Sequence, residues 1–525
     1  MYRARAFARR HRWGLAVIAI FVLLLFGYAA TTAMQARRIA RERDRAEQAL
    51  ARSEAVKGFL IDLFQASSPE EAPGDTLTTH DLLQRGLSRA DKLAGQPDVQ
   101  AEMLDAMGEV HLRLGQFEDA ERLHRQALAQ RRALYGASHE DVAESLHHLA
   151  WVLLNLAHYD EGERLAHQAL QMRRHLLGET HPDVAASLFT LGSLLSAQGQ
   201  YGEAETHYRQ ALKLRRDALG NEHEKVAESL SIMAYALMNL NRYEEAEAYA
   251  RQALALHRKL LGPGRPEVVA TLQILGLVRY SRGDYAGAER IEREALRLLR
   301  SLYGEEHWRV AQSLGRLAAA LGGQGEHQEA EQLYREALAL SRRLLGAEHP
   351  AEPMYARALA DELVALGRYG EAERRYRQAL AANRRLLGEA HPRTALTLND
   401  LGLLLTIRGR LAEADSTLQM ALGVARSAVG EEDRLITLIL NNLGRTRFEQ
   451  GRFAEAEALY LEALAMRRKL LGAKHPRTAE AAKNLVVLYE AWGRPEEAGR
   501  YRARFGSLPD AEASAHLPEA KDSVQ

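Results

Sequence analysis

The chain has 525 residues, with 70 basic and 70 acidic side chains, so its zero formal charge does not favour wholesale binding to nucleic acid. It contains no cysteine, which excludes disulfides, thiolate metal sites and cysteine nucleophiles. Only 13 prolines, with abundant Ala, Leu, Arg and Glu, fit a nearly all-helical protein.

Residues 1–12 form a basic tail holding Arg3, Arg5, Arg9, Arg10 and Arg12. Residues 13–34, from Trp13 to Met34, run for 22 positions without a charge. As a helix this stretch reaches roughly 33 Å, enough for a bilayer core, and it is expected to be an uncleaved transmembrane helix. A cleaved signal peptide is the rival, but its apolar region would span about 7–15 residues. Thr31-Thr32-Ala33 is also a poor cleavage site. Arginines flank both ends, Arg37, Arg38, Arg41, Arg43 and Arg45 following the span, so charge alone nearly ties the orientation. The short basic tail inside, with the rest of the chain outside a bacterial inner membrane, is the expected topology.

Residues 35–66 read as a juxtamembrane helical stalk, with Val56, Phe59, Leu60, Leu63 and Phe64 on one stripe. The stripe suits packing onto the following helices, and a homodimer through the stalk is left open. Residues 67–97 hold a linker broken by Pro69, Pro73 and Gly74, then a lead-in helix over about Thr79–Leu93.

From 98 to 505 the chain repeats. Gly136, Gly178, Gly220, Gly262, Gly304, Gly346, Gly388, Gly430 and Gly472 stand 42 residues apart, and such a period marks a solenoid of stacked units. Each unit predicts two helices. Val142, Leu146, Leu149, Ala150 and Leu153 give the apolar face of a first, A helix. Turns such as Gly115-Gln116-Phe117 and Gly199-Gln200-Tyr201 follow, and then a B helix carrying small residues such as Ala120, Ala204 and Ala246 where helices must approach. Ten hairpins are expected, the last atypical, with Pro495 where most others have an aromatic. Residues 506–525 read as a polar, disordered tail.

His-Pro steps, as at His181-Pro182 and His391-Pro392, stand where A helices begin. The histidines at 139, 181, 223, 307, 349, 391 and 475 are too far apart in a stacked array to share a metal ion, so capping is their expected role. A column of arginines, Arg132, Arg174, Arg216, Arg258, Arg300, Arg342, Arg384, Arg426 and Arg468, suits helix C-termini and nearby acids better than an acidic partner. No catalytic constellation, phosphate loop, cofactor motif or metal cluster stands out, so no enzyme activity and no cofactor are expected.

The Leu-Gly of the A helix, the Ala of the B helix and the aromatic at the turn resemble the tetratricopeptide repeat. The 42-residue unit and Asn441-Asn442-Leu443-Gly444 resemble its kinesin-light-chain subclass. That resemblance implies an all-α superhelical solenoid, non-catalytic, holding a peptide or protein partner on the inner faces of its A helices. Tyr2–Phe7, Arg9–Arg12, Phe59–Phe64 and Ser68-Pro69 resemble the membrane-flanking part of bacterial membrane-bound serine/threonine kinases. No Gly-rich loop, His-Arg-Asp or Asp-Phe-Gly motif accompanies them. The implied role is therefore a scaffold or the sensory half of a truncated or split receptor kinase.

Within the expected groove, equivalent positions vary from Asp105 and His147 through Phe189 to Arg357, Asn399, Asn441 and Lys483. Such variety suits one asymmetric ligand, and equally suits unselected exposed positions. The expected partner-binding residues are Asn399, Asn441, Asn442, Lys483 and Asn484, whose amides can hold peptide main chain, and the aromatic set Trp151, Phe189 and Tyr235. Amides that simply bond neighbouring helices are the alternative.

Overall fold

The computed structural model of the protein describes residues 95–346, 348–473 and 476–505, with 87, 88 and 90 before them. The expected basic tail (1–12), transmembrane helix (13–34), stalk (35–66), nearly all of the lead-in (67–97) and the tail (506–525) lie outside these residues, as does His475. Among the described residues no helix is long and apolar enough to cross a membrane. The chain divides into two compact units, Met1–Ala218 and Leu219–Gln525.

The first unit holds α1 (Pro97–Arg113), α2 (Phe117–Tyr135), α3 (Glu140–Asn155), α4 (Tyr159–Leu177), α5 (Pro182–Ala197) and α6 (Tyr201–Leu219), whose last residue opens the second unit. The second continues with α7 (Glu224–Asn239), α8 (Tyr243–Leu261), α9 (Pro266–Arg282), α10 (Tyr285–Tyr303), α11 (Trp308–Gln324), α12 (His327–Leu345) and α13 (Ala351–Ala365). It ends with α14 (Tyr369–Leu387), α15 (Pro392–Ile407), α16 (Leu411–Val429), α17 (Arg434–Glu449), α18 (Phe453–Leu471), α19 (Pro476–Ala491) and α20 (Pro495–Phe505). Odd-numbered helices are the A helices and even-numbered ones the B helices, giving ten hairpins and no strand among the described residues. The final B helix has 11 residues where α18 has 19, the shortening expected of a terminal unit.

Local chemistry starts and stops each helix. The histidines do cap: Nδ1 of His139, His181, His223, His307, His349 and His391 each accepts the backbone N–H two residues on, at 3.1–3.2 Å. Asp433 does the same for α17 at 2.7 Å. Each cap satisfies one of the donors that a helix start leaves without a partner.

B helices end at the periodic glycines. Gly178, for example, has φ 88° and ψ 162°, a backbone region open to glycine almost alone. The A-to-B turns need a left-handed residue. Most units place glycine there, but Ala157 and Asn241 adopt φ 59° in its place.

Packing follows from small residues. Ala120, Ala204, Ala246 and Ala330 are fully buried, which lets the B helix approach its neighbours. On the A helix, a Cβ at Gly192 would lie 2.7 Å from the Tyr208 ring, and one at Gly276 the same distance from Glu292 Oε1. Each such glycine admits the B-helix side chain opposite it.

Consecutive units are also stapled by buried polar groups. Arg131 and Arg173 donate to the Ser145 and Ser187 hydroxyls at 2.8 Å, and Asn383 to Thr397 at 3.1 Å. His257 sits 2.9 Å from Thr271 in the same register, 14 residues on. The arginine column has the structural part expected of it. Arg258, Arg300 and Arg426 reach Glu294, Glu336 and Glu462 on the next B helix at 2.6, 3.3 and 2.8 Å. Exposed pairs of this kind contribute little each, about 0–1 kcal/mol.

Candidate functional site

Within each unit the A helices present a row of side chains whose chemistry changes from repeat to repeat. Neighbouring A helices are bonded one residue out of step with the 42-residue period. Asp105 meets His148, His147 meets Thr190, Arg357 meets Asp400, Asn399 meets Asn442 and Asn441 meets Asn484, each pair separated by 43 positions.

In the first unit Trp151 and Phe189 come together, their rings stacked at 6.2 Å and 27°. Phe189 is buried, with the Arg215 guanidinium 4.5 Å above its ring and Tyr208 at 5.7 Å, while Trp151 stays partly exposed. Tyr235 belongs to the second unit and is half-buried there.

The same unit holds a charged cluster. His124 Nδ1 is 2.7 Å from Asp105 Oδ1, His148 Nδ1 is 2.9 Å from Oδ2, and Arg131 donates to Oδ2 at 3.3 Å. Burial opposes the charge on Asp105, but the hydrogen bonds from His124 and His148 and the nearby Arg131 hold its carboxyl well below the usual range. Burial also works against a charged His148, yet its bond to Asp105 raises its pKa above the ordinary value. His147, next along, is driven well below that value by burial and by Arg173.

In the second unit the expected asparagines bond one another. Asn399 donates to Asp400 Oδ1 at 3.1 Å and accepts from Asn442 at 2.9 Å, and Asn484 donates to Asn441 at 3.4 Å. Asn399 and Asn441 are buried, Asn442 and Asn484 half-buried, and Lys483 exposed. Those amides therefore bridge adjacent A helices, and the side-chain capacity left for main chain lies with Asn442 and Asn484.

Beside them Arg357 donates to Asp400 at 2.7 Å and to Asp361 at 3.4 Å, and the Tyr376 hydroxyl donates to Asp361. Burial pushes the Asp361 carboxyl up to about 7 against the pull of Arg357.

A cleft opens between α9, α10 and α11, lined by Gly276, Leu277, Tyr280, Ala288, Glu292, Arg316 and Ala319, with a volume of about 20 Å³. That is room for one water or one small polar group. Glu292, only 3% exposed, has a single long contact, 3.5 Å from the Ser313 hydroxyl. Burial pushes its carboxyl up to about 7, with Arg316 opposing. Arg316 makes no hydrogen bond among the described residues, and it lines the cleft beside Glu292. Other repeats put Tyr208, Tyr334, Tyr376 or Tyr460 at the Glu292 position.

His124, His148, Glu292 and Arg316 were not among the residues the sequence singled out. The 43-residue offset is the signal that would have found His148 from Asp105. A carboxylate standing in a column that is mostly tyrosine and alanine is the signal for Glu292.

The tetratricopeptide repeat family profile matches residues 99–161, 156–217, 225–301, 309–385, 363–427 and 435–501. The chain belongs to the tetratricopeptide repeat family. Solved structures similar to this tetratricopeptide array include a kinesin-light-chain-like protein from Podosopora anserina, 22% identical, with 39% of this chain and 97% of that one covered and a TM-score of 0.35. BtubC from P. vanneervenii is 22% identical over 50% of this chain and 92% of its own, with a TM-score of 0.36. A Rap protein complexed with competence and sporulation factor is 14% identical over 74% of this chain and 98% of its own, with a TM-score of 0.47. No curated protein matches the array.

Proposed function

We propose that the chain is a non-enzymatic interaction scaffold that takes a peptide or protein partner on its A-helix faces. The observation that carries this reading is the cleft at Glu292 and Arg316. A buried carboxyl whose one bond is a long contact with Ser313, and a guanidinium with no hydrogen bond among the described residues, line one opening. Burying a carboxyl with so weak a bond is costly, and a bound chain supplying polar atoms relieves that cost. Trp151, half-exposed on its A helix, and Asn442 and Asn484, with amide capacity to spare, offer further contacts on the same kind of face.

A photo-crosslinking residue at Leu277, which lines the cleft, is expected to capture the partner in cells. The same residue at exposed Arg290 on α10 is not, and Arg316→Ala is expected to abolish capture at Leu277. Equal capture from both positions, or capture indifferent to Arg316→Ala, overturns the reading.

In the fuller reading the scaffold is held in a bacterial inner membrane by residues 13–34, with the repeats outside the cytoplasm. Support comes from the uncharged 22-residue run behind a short basic tail. Alkaline phosphatase fused after Ser514 is then active, and a cytoplasm-only fluorescent protein fused there stays dark. A second reading, the sensory half of a receptor serine/threonine kinase, is favoured by the kinase-like residues flanking that run, and a kinase-coding segment directly upstream would support it.

A further inference from the structure

We propose that Asp105, His124 and His148 form the seat of one divalent transition-metal ion of the kind that imidazole nitrogens bind, zinc being the representative. The three residues come from the successive helices α1, α2 and α3, and one ligating atom from each lies within 4.8 Å of the others. Two imidazole nitrogens and a carboxylate are a recurrent donor set for zinc and its neighbours, with remaining positions left to solvent.

Charge favours the ion. Among the described residues Arg131 is the one guanidinium in contact with the cluster, 2.7 Å from Glu102, 3.3 Å from Glu144 and 3.3 Å from Asp105. Once the imidazoles serve as neutral ligands, three carboxylates stand around a single cation, and a dication balances the excess.

The orientation of His124 is a second, independent observation. Its side chain is wholly buried, and its Nε2 has no hydrogen-bond partner. The ring is wedged against Gly108, where an added Cβ would lie 2.7 Å from Nε2, so only Nδ1 is offered, and it points at Asp105. A ring locked in this way presents Nδ1 at a fixed place beside Asp105.

Entry is open from the other side. The His148 side chain is 29% exposed, and Glu102 and Glu144 beside Arg131 are 37% and 46% exposed. On binding, each Nδ1 gives up its proton, to Nε2 where the ring is neutral or to solvent where it is protonated, and donates its lone pair to the ion. The present 2.7 and 2.9 Å contacts then open by about 0.5 Å to reach tetrahedral spacing around bonds of about 2.0 Å. Arg131 remains a hydrogen-bond donor to the carboxylate, outside the coordination shell.

The test is titration of the metal-free, untagged full-length chain with Co²⁺, followed by its visible d–d absorption and then by displacement with Zn²⁺. One equivalent is expected to bind with nitrogen and oxygen ligands, and zinc is expected to displace cobalt. His148→Gln, on the partly exposed side, is expected to weaken binding at least about tenfold while circular dichroism stays unchanged. His167→Gln, a substitution on exposed α4, is expected to leave the titration as in the wild type. A wild-type chain with no cobalt spectrum overturns the proposal, and so does a His148→Gln chain that titrates like the wild type.

Discussion

Replacing Glu292 with glutamine removes a carboxyl held in an unfavourable place while keeping its shape. The folded group titrates near 7 against a reference of 4.5. Below pH 4.5 both folded and unfolded chains hold the proton and the site costs nothing. As pH rises from 4.5 through 7 the unfolded chain releases that proton and the folded chain keeps it, so stability is lost across this window. Above 7 the loss is complete at about 3 kcal/mol, from 1.36 kcal/mol per pH unit. The Glu292→Gln chain should therefore match the wild type near pH 4 and exceed it by up to about 3 kcal/mol at pH 8. Unfolding of a repeat array is not two-state, so the readout is local. Hydrogen exchange of α9–α11, corrected for intrinsic rates, is followed from pH 5 to 8. Asp361 titrates in the same window in the same unit, and the difference between the two chains cancels it. The reasoning fails if both chains lose protection in parallel, or if the variant is less protected at every pH.

Ala157→Gly should stabilise the first unit by about 0.5–1 kcal/mol, because the left-handed backbone at φ 59° costs alanine more than the extra unfolded freedom costs glycine. Gly178→Ala should do the reverse, at about 1–3 kcal/mol, although nothing lies within 4 Å of the added Cβ; the two thermal shifts, compared in one experiment, must have opposite signs. His391→Ala should cost about 1 kcal/mol through the lost cap on α15. That cap needs a neutral imidazole, and burial with Arg393 lowers the pKa of His391. Its contribution is thus present above pH 6.5 and lost as pH falls, so exchange protection at the start of α15 should converge between the two chains in acid.

The helices, turns and caps were legible because each depends on residues adjacent in sequence. The glycine past a B helix answers to its own backbone, and His391 caps through a donor two residues away. Even the two exceptions, Ala157 and Asn241, sit where the repeat asked for a left-handed residue. The site was less legible because its partners meet across helices. Asn399 and Asn441 are equivalent in the repeat and so looked like a stack offered to a ligand. The packed helices instead pair each with the residue following its equivalent, which consumes much of that capacity. The histidines at the helix starts were visible as a row, whereas His124 and His148 occupy different helices and share no column. Glu292 reads as one more surface acid until the glycine opposite it, Gly276, is seen to let its carboxyl sink beneath the neighbouring helix.

The out-of-step bonding between A helices bears on how such a chain can be recombined. Arg357 needs the Asp400 of its own successor, His147 needs Thr190, and Asn399 needs Asn442. A unit cut out at its glycine borders and moved elsewhere keeps its turns and caps but arrives beside a stranger. Moving the unit of Arg357 next to Asn442 would leave a buried guanidinium facing an amide in place of a carboxylate. The smallest exchangeable module is therefore a junction, the second half of one repeat with the first half of the next. Shuffling at that boundary should preserve the array where shuffling whole repeats breaks it.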